Sequence, residues 1–309
     1  MSKVPLTLAQ QEILLRNLGL SDECNIGFQE VLCKDNFSRL SEYFKHFQHA
    51  PLHGDNTFKT GSDLSHITSI TASEAKLRSE VLSGMFLFEL YLRGRFSNLY
   101  SFYCLQQNIP ITGIHFLKTL GPTNSKASEY VDESKIIQQL NQSKDKFILK
   151  CRDPNLPNSK QNYEDLPIWD LTETLSFGVL TRCINASHGT SIFDTIADEL
   201  SVRTGLLTNH LIALNVLRNM CAHPSRLWNK DMKLMPKYKA RNFSVTFGKF
   251  SHKSIFKVLI VLDRFLDNAG LQDNWLEYVN DEILKPNTLF QQGIMNPQRF
   301  PRPKKLSMT

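Results

Sequence analysis

Residues 64 to 103 constrain the fold more than any other stretch of the chain. Val81, Met85, Phe88, Leu92, Phe96 and Leu99 recur at three- and four-residue spacing. That spacing puts them on one face of an α-helix turning about 100° per residue. Phe86 and Leu90 form a second apolar strip. A helix apolar on two sides is expected at the centre of a domain, with other elements packed around it. Within it, Glu89 and Arg93 stand four residues apart, in the order that favours an ion pair worth about 0.2–0.5 kcal/mol.

The rest of the chain reads as further helices. Residues 8 to 18 form a first helix, with Ile13, Leu14 and Leu18 on one side and Gly19 as its stop. Residues 26 to 47 carry a second, and a turn rich in Gly, Asp, Asn and Thr separates it from the central helix. From 104 to 168 the periodicity dissolves into loop with one short helix over 131 to 140. Order returns at Ile168, where a helix starts and Trp169 reads as an anchor packed on the core. Residues 251 to 267 are amphipathic, 274 to 285 add another helix, and the tail from Asn296 is rich in Pro and Lys. There is no convincing strand alternation, glycine-rich phosphate loop or internal repeat. The fold class expected is all-α. Its parts are an N-terminal helical segment over 1–60, a core over 61–235 with a loop insertion at 104–166, and C-terminal helices with a tail over 236–309.

Composition narrows the setting. With 309 residues, 41% of them hydrophobic, the chain can bury a sizeable core. Six cysteines lie scattered at 24, 33, 104, 151, 183 and 221 without a C-x-x-C pair, as in free thiols of a reducing compartment. No apolar stretch has signal-peptide or membrane-span length, so the expected location is cytoplasmic, with no membrane partner. The formal charge of +6 permits a polyanionic partner without demanding one.

The chemistry concentrates in residues 206 to 229, L-L-T-N-H-L-I-A-L-N-V-L-R-N-M-C-A-H-P-S-R-L-W-N. Leu207, Leu211 and Leu214 share a helix face, and Arg218 falls in the middle of that stripe. A permanent charge there would be partly buried, so it needs an acidic partner or an anion. Asn219 follows at once, His223 comes five residues after the arginine, and Pro224 ends the helix. Proline biases the residue before it out of the α region, so His223 is expected to swing toward Arg218. Arg226, Leu227, Trp228 and Asn229 are expected to fold back over it.

The run R-N-M-C-A-H, followed by P-S-R-L-W-N, resembles the Arg-x4-His signature of HEPN-domain ribonucleases. More closely, it resembles the Abi-like proteins of bacterial abortive-infection systems, the AbiD/AbiF type. Further matches occur in order along nearly the whole chain. N-F-S-R-L-S-E-Y matches a family element at Asn36, Arg39, Leu40, Ser41 and Tyr43, although the family's second tyrosine and its glycine are absent. F-E-L-Y-L-R matches an apolar-Glu-x-x-x-Arg element, and Pro167, Trp169, Glu173, Leu175, Ser176, Phe177 and Gly178 match a third. Pro224 departs from the family, which more often has a polar residue there. The resemblance implies a HEPN-like helical bundle with an N-terminal extension, and composite sites built by symmetric dimers. Glu89 then has two readings: a local partner of Arg93, or the carboxylate that orients Arg218 across a helix interface.

Cutting RNA without metal requires removal of the 2′-hydroxyl proton, stabilisation of charge on a crowded phosphate, and protonation of the leaving 5′-oxygen. Histidine exchanges a proton near neutral pH, and arginine presents a planar fork to phosphate oxygens. Asn219 adds a hydrogen bond to a phosphate oxygen or fixes the loop. The expectation is therefore an endoribonuclease using Arg218, Asn219 and His223, with Glu89, Arg93, Arg226, Trp228 and Asn229 in support. One histidine per motif is short by one for paired acid and base work, and a homodimer would supply the second. Lys230, Lys233, Lys237, Lys239 and Arg241 form a concentrated basic run that could steer an RNA backbone, whether substrate or regulatory small RNA. No cofactor is expected. A metal is not expected either: His46, His49 and His53 lie among helix breakers, with no nearby cysteine or acid at ligand spacing. The competing class is a non-catalytic helical module that binds RNA or a partner and keeps Arg218 and His223 as structural residues.

Overall fold

The structure, a computed structural model, describes residues 5–113, 133–157, 161, 163–223, 225–237 and 246–298. Helix α1 (Leu8–Asn17) opens with a capping box in which Thr7 and Gln10 bond each other's backbone amides. Its buried residue is Leu15, whereas Ile13 and Leu14 face solvent, so the inward face differs from the expected one. The helix predicted over 26–47 is two, α2 (Phe28–Lys34) and α3 (Phe37–Phe47). Asp35 turns extended, and the Asn36 side chain accepts from the Ser38 amide at 2.8 Å, starting α3 afresh. The turn expected next contains a small antiparallel hairpin, β1 (Gln48–Ala50) and β2 (Asp55–Phe58), closed where Gly54 takes a positive φ.

Helix α4 (Leu64–Gln107) is the central element, 44 residues long. Asp63 caps it, accepting from the Ser65 amide, the Glu23 amide and the Ser21 hydroxyl, each at 2.8 Å. Around it lie α5 (Glu133–Gln142), α6 (Lys146–Lys150), α7 (Ile168–Thr174), α8 (Phe177–Ala186), α9 (Ser191–Glu199), α10 (Thr204–Ala222), α11 (Phe256–Asn268), α12 (Trp275–Val279) with a π-turn over Asn280–Leu284, and α13 (Thr288–Met295). Residues 131 and 132 of the short helix predicted in the loop region lie outside the described residues, as does the tail from 299.

Val81, Met85, Phe88, Leu92 and Phe96 are buried as their spacing predicts. Phe86 and Leu90 are not: they are 63% and 46% exposed. Helices α7, α9, α10, α11 and α13 all pack on α4 and cover its other faces, leaving this strip to solvent. Gly84 lets α11 approach, because a Cβ there would lie 3.1 Å from Leu266 Cδ1. One continuous core runs from Leu15 to Met295, and the fold is mostly helical. Among the described residues no helix is long and apolar enough to cross a membrane.

Candidate functional site

Helix α10 brings the polar cluster to one end of the bundle. Leu207, Leu211, Leu214 and Leu217 are buried against the core, and Arg218, one residue further round, emerges at the margin. Its side chain is 35% exposed, with Nη2 at 4.0 Å from Glu89 Oε2 on α4. Arg218 is thus a rim residue, less enclosed than its place in the leucine stripe suggested, because Leu217 takes the inward position. Asn219 is exposed beside it, Oδ1 at 3.5 Å from Arg218 Nη1.

Glu89 lies between the two arginines. Its Oε1 pairs with Arg93 and its Oε2 faces Arg218. Arg93 also donates to the carbonyls of Thr172 and of Leu175, the latter at 2.6 Å. It therefore closes the C-terminus of α7, where helical carbonyls lack intrahelical partners.

His223 leaves the helix in extended backbone (φ −99°, ψ 150°) while its amide still donates to the Asn219 carbonyl at 3.0 Å. Its imidazole is exposed and makes no hydrogen bond among the described residues. Pro224 lies outside the described residues. Beyond it the chain folds onto α3 and α13 rather than over Arg218. Arg226 donates to the Glu42 carbonyl at 2.7 Å and pairs with His46. Trp228 is buried, stacks on Tyr43 and Phe47, and donates from Nε1 to the Leu289 carbonyl at 3.0 Å. Asn229 reaches His46 Nδ1 at 3.1 Å and accepts from the Gln298 amide at 3.0 Å. The N-F-S-R-L-S-E-Y and R-L-W-N segments are therefore two halves of one packed unit.

Two residues that sequence reasoning missed organise this unit. Glu74, 1% exposed, accepts from the Tyr43 hydroxyl and from the backbone amides of Leu227 and Trp228, all at 2.9 Å. It also holds Arg78 at 2.8 Å. Arg78 spreads its guanidinium over the carbonyls of Met220, Cys221 (3.1 Å), His223 (2.9 Å) and Ser225 (2.8 Å). A cation at a helix C-terminus also meets the negative end of its dipole. The signal was present as Glu-x-x-x-Arg at 74 and 78, the same spacing as at 89 and 93.

Other expected residues separate from the cluster. Trp169 is 49% exposed rather than a core anchor, standing beside Phe102 and Leu105 on a shallow surface groove of α4. Helix α7 is only seven residues long and buries Ile168, Leu171 and Thr172 instead. Gly178 has a packing role: a Cβ there would lie 3.2 Å from Asn215 Nδ2 of α10. Lys230, Lys233 and Lys237 are exposed, while Lys239 and Arg241 lie outside the described residues. Among the described residues no three His, Cys, Asp or Glu side chains form a metal-holding group.

His46 gives a handle on stability. Burial, followed by the positive charges of Arg226, Lys59 and Lys45, pulls its pKa down to about 3. In the unfolded chain it titrates near about 6.5. Between those values the unfolded state binds more protons, so its contribution is complete above the unfolded value and declines as pH falls through the window. The melting temperature is expected to drop from pH 7 to pH 4.5, and His46→Gln to show a shallower drop. Equal slopes for both proteins would contradict this.

An all-α protein, built on one long helix with an Arg-Asn…His cluster at the end of a neighbouring helix, is the class that fold and site define. Residues 30–229 match the profile of the family described as Abi-like protein, and the chain belongs to that family, a group of the abortive-infection type. The matched span runs from α2 through Asn229, so it takes in both halves of the packed unit. No curated protein and no solved structure matches the chain.

Proposed function

We propose that this protein is a metal-independent endoribonuclease of an abortive-infection system, related to the HEPN ribonucleases. The observation that carries the reading is a semi-exposed Arg218 and an exposed His223 at the C-terminal end of the same helix, the imidazole making no hydrogen bond among the described residues. A histidine with a structural task would be expected to spend its ring nitrogens on neighbours, as His46 does. In the proposed reaction His223 takes the 2′-hydroxyl proton of a bound RNA, and the freed 2′-oxygen attacks the adjacent phosphorus. Arg218 and Asn219 hold the phosphate oxygens while negative charge builds, and a protonated imidazole completes departure of the 5′-oxygen. Glu89 keeps Arg218 pointed at the rim. Lys230, Lys233 and Lys237 extend positive charge along the backbone path.

The test is a digest of single-stranded RNA by purified protein with EDTA present, followed by end-group analysis. Cutting that leaves a 2′,3′-cyclic phosphate and a 5′-hydroxyl, with DNA intact, is the expected result. Abolition by EDTA would replace this mechanism with a metal-dependent one. RNA bound but never cut would favour a binding module.

One histidine per motif calls for a second from a partner copy. Support for a homodimer comes from Phe86 and Leu90, exposed apolar side chains flanking Glu89 on α4. Two-fold pairing over this strip would bring two Arg218–His223 ends toward each other. Sedimentation at micromolar concentration is expected to give about twice the 35.5 kDa chain mass. The double variant Phe86→Glu with Leu90→Glu is expected to sediment as a monomer and lose cutting. A wild-type monomer with full activity would sink the composite site and leave the nuclease reading standing.

A further inference from the structure

We infer that Glu74 and Arg78 are positioning residues for His223, a role that rests on the nuclease reading above. The segment from Met220 to Trp228 is gripped on both sides of the histidine. On the N-terminal side Arg78 takes the carbonyls of Met220 and Cys221, and it also takes those of His223 and Ser225. On the C-terminal side Glu74 takes the amides of Leu227 and Trp228. The two side chains hold each other at 2.8 Å, with Arg78 on Glu74 Oε1 and the backbone amides on Oε2.

Both carboxylate oxygens of Glu74 and both Nη atoms of Arg78 are engaged in this grip. Glu74 is buried and accepts four hydrogen bonds, and Arg78, 15% exposed at its side chain, donates five. The imidazole between the two grips makes no hydrogen bond of its own among the described residues. With no side-chain partner, the region its ring can sweep is set by the position of the Cα–Cβ bond at 223, and the Arg78–Glu74 pair holds the backbone that carries that bond. The planar fork matters here, since one guanidinium must reach four carbonyls and a carboxylate at once. An ammonium at the same place is a point charge without that span. A proton carrier displaced by about 1 Å can cost about 10²-fold in rate.

The test compares wild type, Arg78→Met, Arg78→Lys and His223→Ala as full-length proteins. Steady-state RNA cleavage is measured alongside the ring resonance of His223 in protein with labelled histidine, assigned by its loss in His223→Ala. Arg78→Met is expected to lower kcat by about 10²-fold with KM unchanged, and to shift or broaden the His223 resonance. Arg78→Lys is expected to fold, with an intermediate kcat and the wild-type KM. It carries the test if the methionine variant fails to fold. Wild-type kcat in a folded Arg78→Lys, or a loss confined to KM, would overturn the inference and leave the pair a structural cap. If wild type leaves RNA uncut, or His223→Ala cuts as well as wild type, the nuclease reading itself has failed. The resonance alone then decides the geometric part: a shift in Arg78→Lys sustains it, and an unchanged signal overturns it.

Discussion

Replacing His223 with alanine is expected to lower RNA cleavage by about 10²- to 10⁴-fold while leaving the protein folded and dimeric. The separation of activity from stability follows from the geometry. The imidazole is exposed and makes no hydrogen bond among the described residues, whereas the backbone of the same residue is held by Arg78 and by the Asn219 carbonyl. Removing the ring leaves those backbone bonds in place, and surface changes of this kind usually alter stability by less than about 0.5 kcal/mol. Arg218→Ala is expected to lose activity on a similar scale, because the charge clamp goes. At 4.0 Å from Glu89 and 35% exposed, Arg218 contributes little to the fold, and Glu89 keeps its pairing with Arg93. Circular dichroism and sedimentation establish that each variant is intact before rates are compared. Wild-type cutting by a folded, dimeric His223→Ala protein would remove the assignment.

The second large effect falls on stability. Trp228→Ala is expected to cost about 3–5 kcal/mol, the usual range for deleting a large buried aromatic side chain. The indole lies 4.7 Å from the His46 ring and about parallel to Phe47 and Tyr43, and its N–H has a carbonyl partner. Gly293 of α13 lies directly against it, since a Cβ there would sit 2.1 Å from Trp228 Nε1. Gly293→Ala should therefore also destabilise, by about 1–3 kcal/mol, through overpacking rather than a cavity. Thermal or urea unfolding measures both. A Trp228→Ala protein as stable as wild type would mean that the aromatic cluster contributes nothing to holding the segment.

Periodicity made the central helix legible, and with it the all-α class, because forty residues of three- and four-residue spacing leave few other solutions. It could not say which apolar strip would be covered. Phe86 and Leu90 repeat as regularly as Phe88 and Leu92, and only the placement of the neighbouring helices leaves the first pair bare. The break at Asn36 was also open to reading, since Asp-Asn before Phe37 is ordinary N-cap chemistry. The cluster of Arg218, Asn219 and His223 could be read as neighbours on a helix end. Glu74 and Arg78 could not be singled out. Glu12 and Arg16, Glu30 and Lys34, and Glu89 and Arg93 share the same acid-before-base spacing and form ion pairs too. What separates one such pair from another is which helix end lies beneath it, and that is decided by segments about 150 residues away.

The seating of Trp228 on α13 also fixes when the site can exist. Its indole bonds the Leu289 carbonyl, and the Asn229 amide bonds the Gly293 carbonyl at 3.2 Å. A chain still being synthesised, at about 5–20 residues per second, lacks that support until residues 289–293 have been added. Until then Glu74 and Arg78 hold the segment without α13 beneath Trp228. The carrier of His223 is thus locked only once α13, about 60 residues further on in the chain, has been made. On the proposed nuclease reading, the nascent chain would remain incompletely assembled around His223 while it is still attached to the machinery, and the RNA, that produce it.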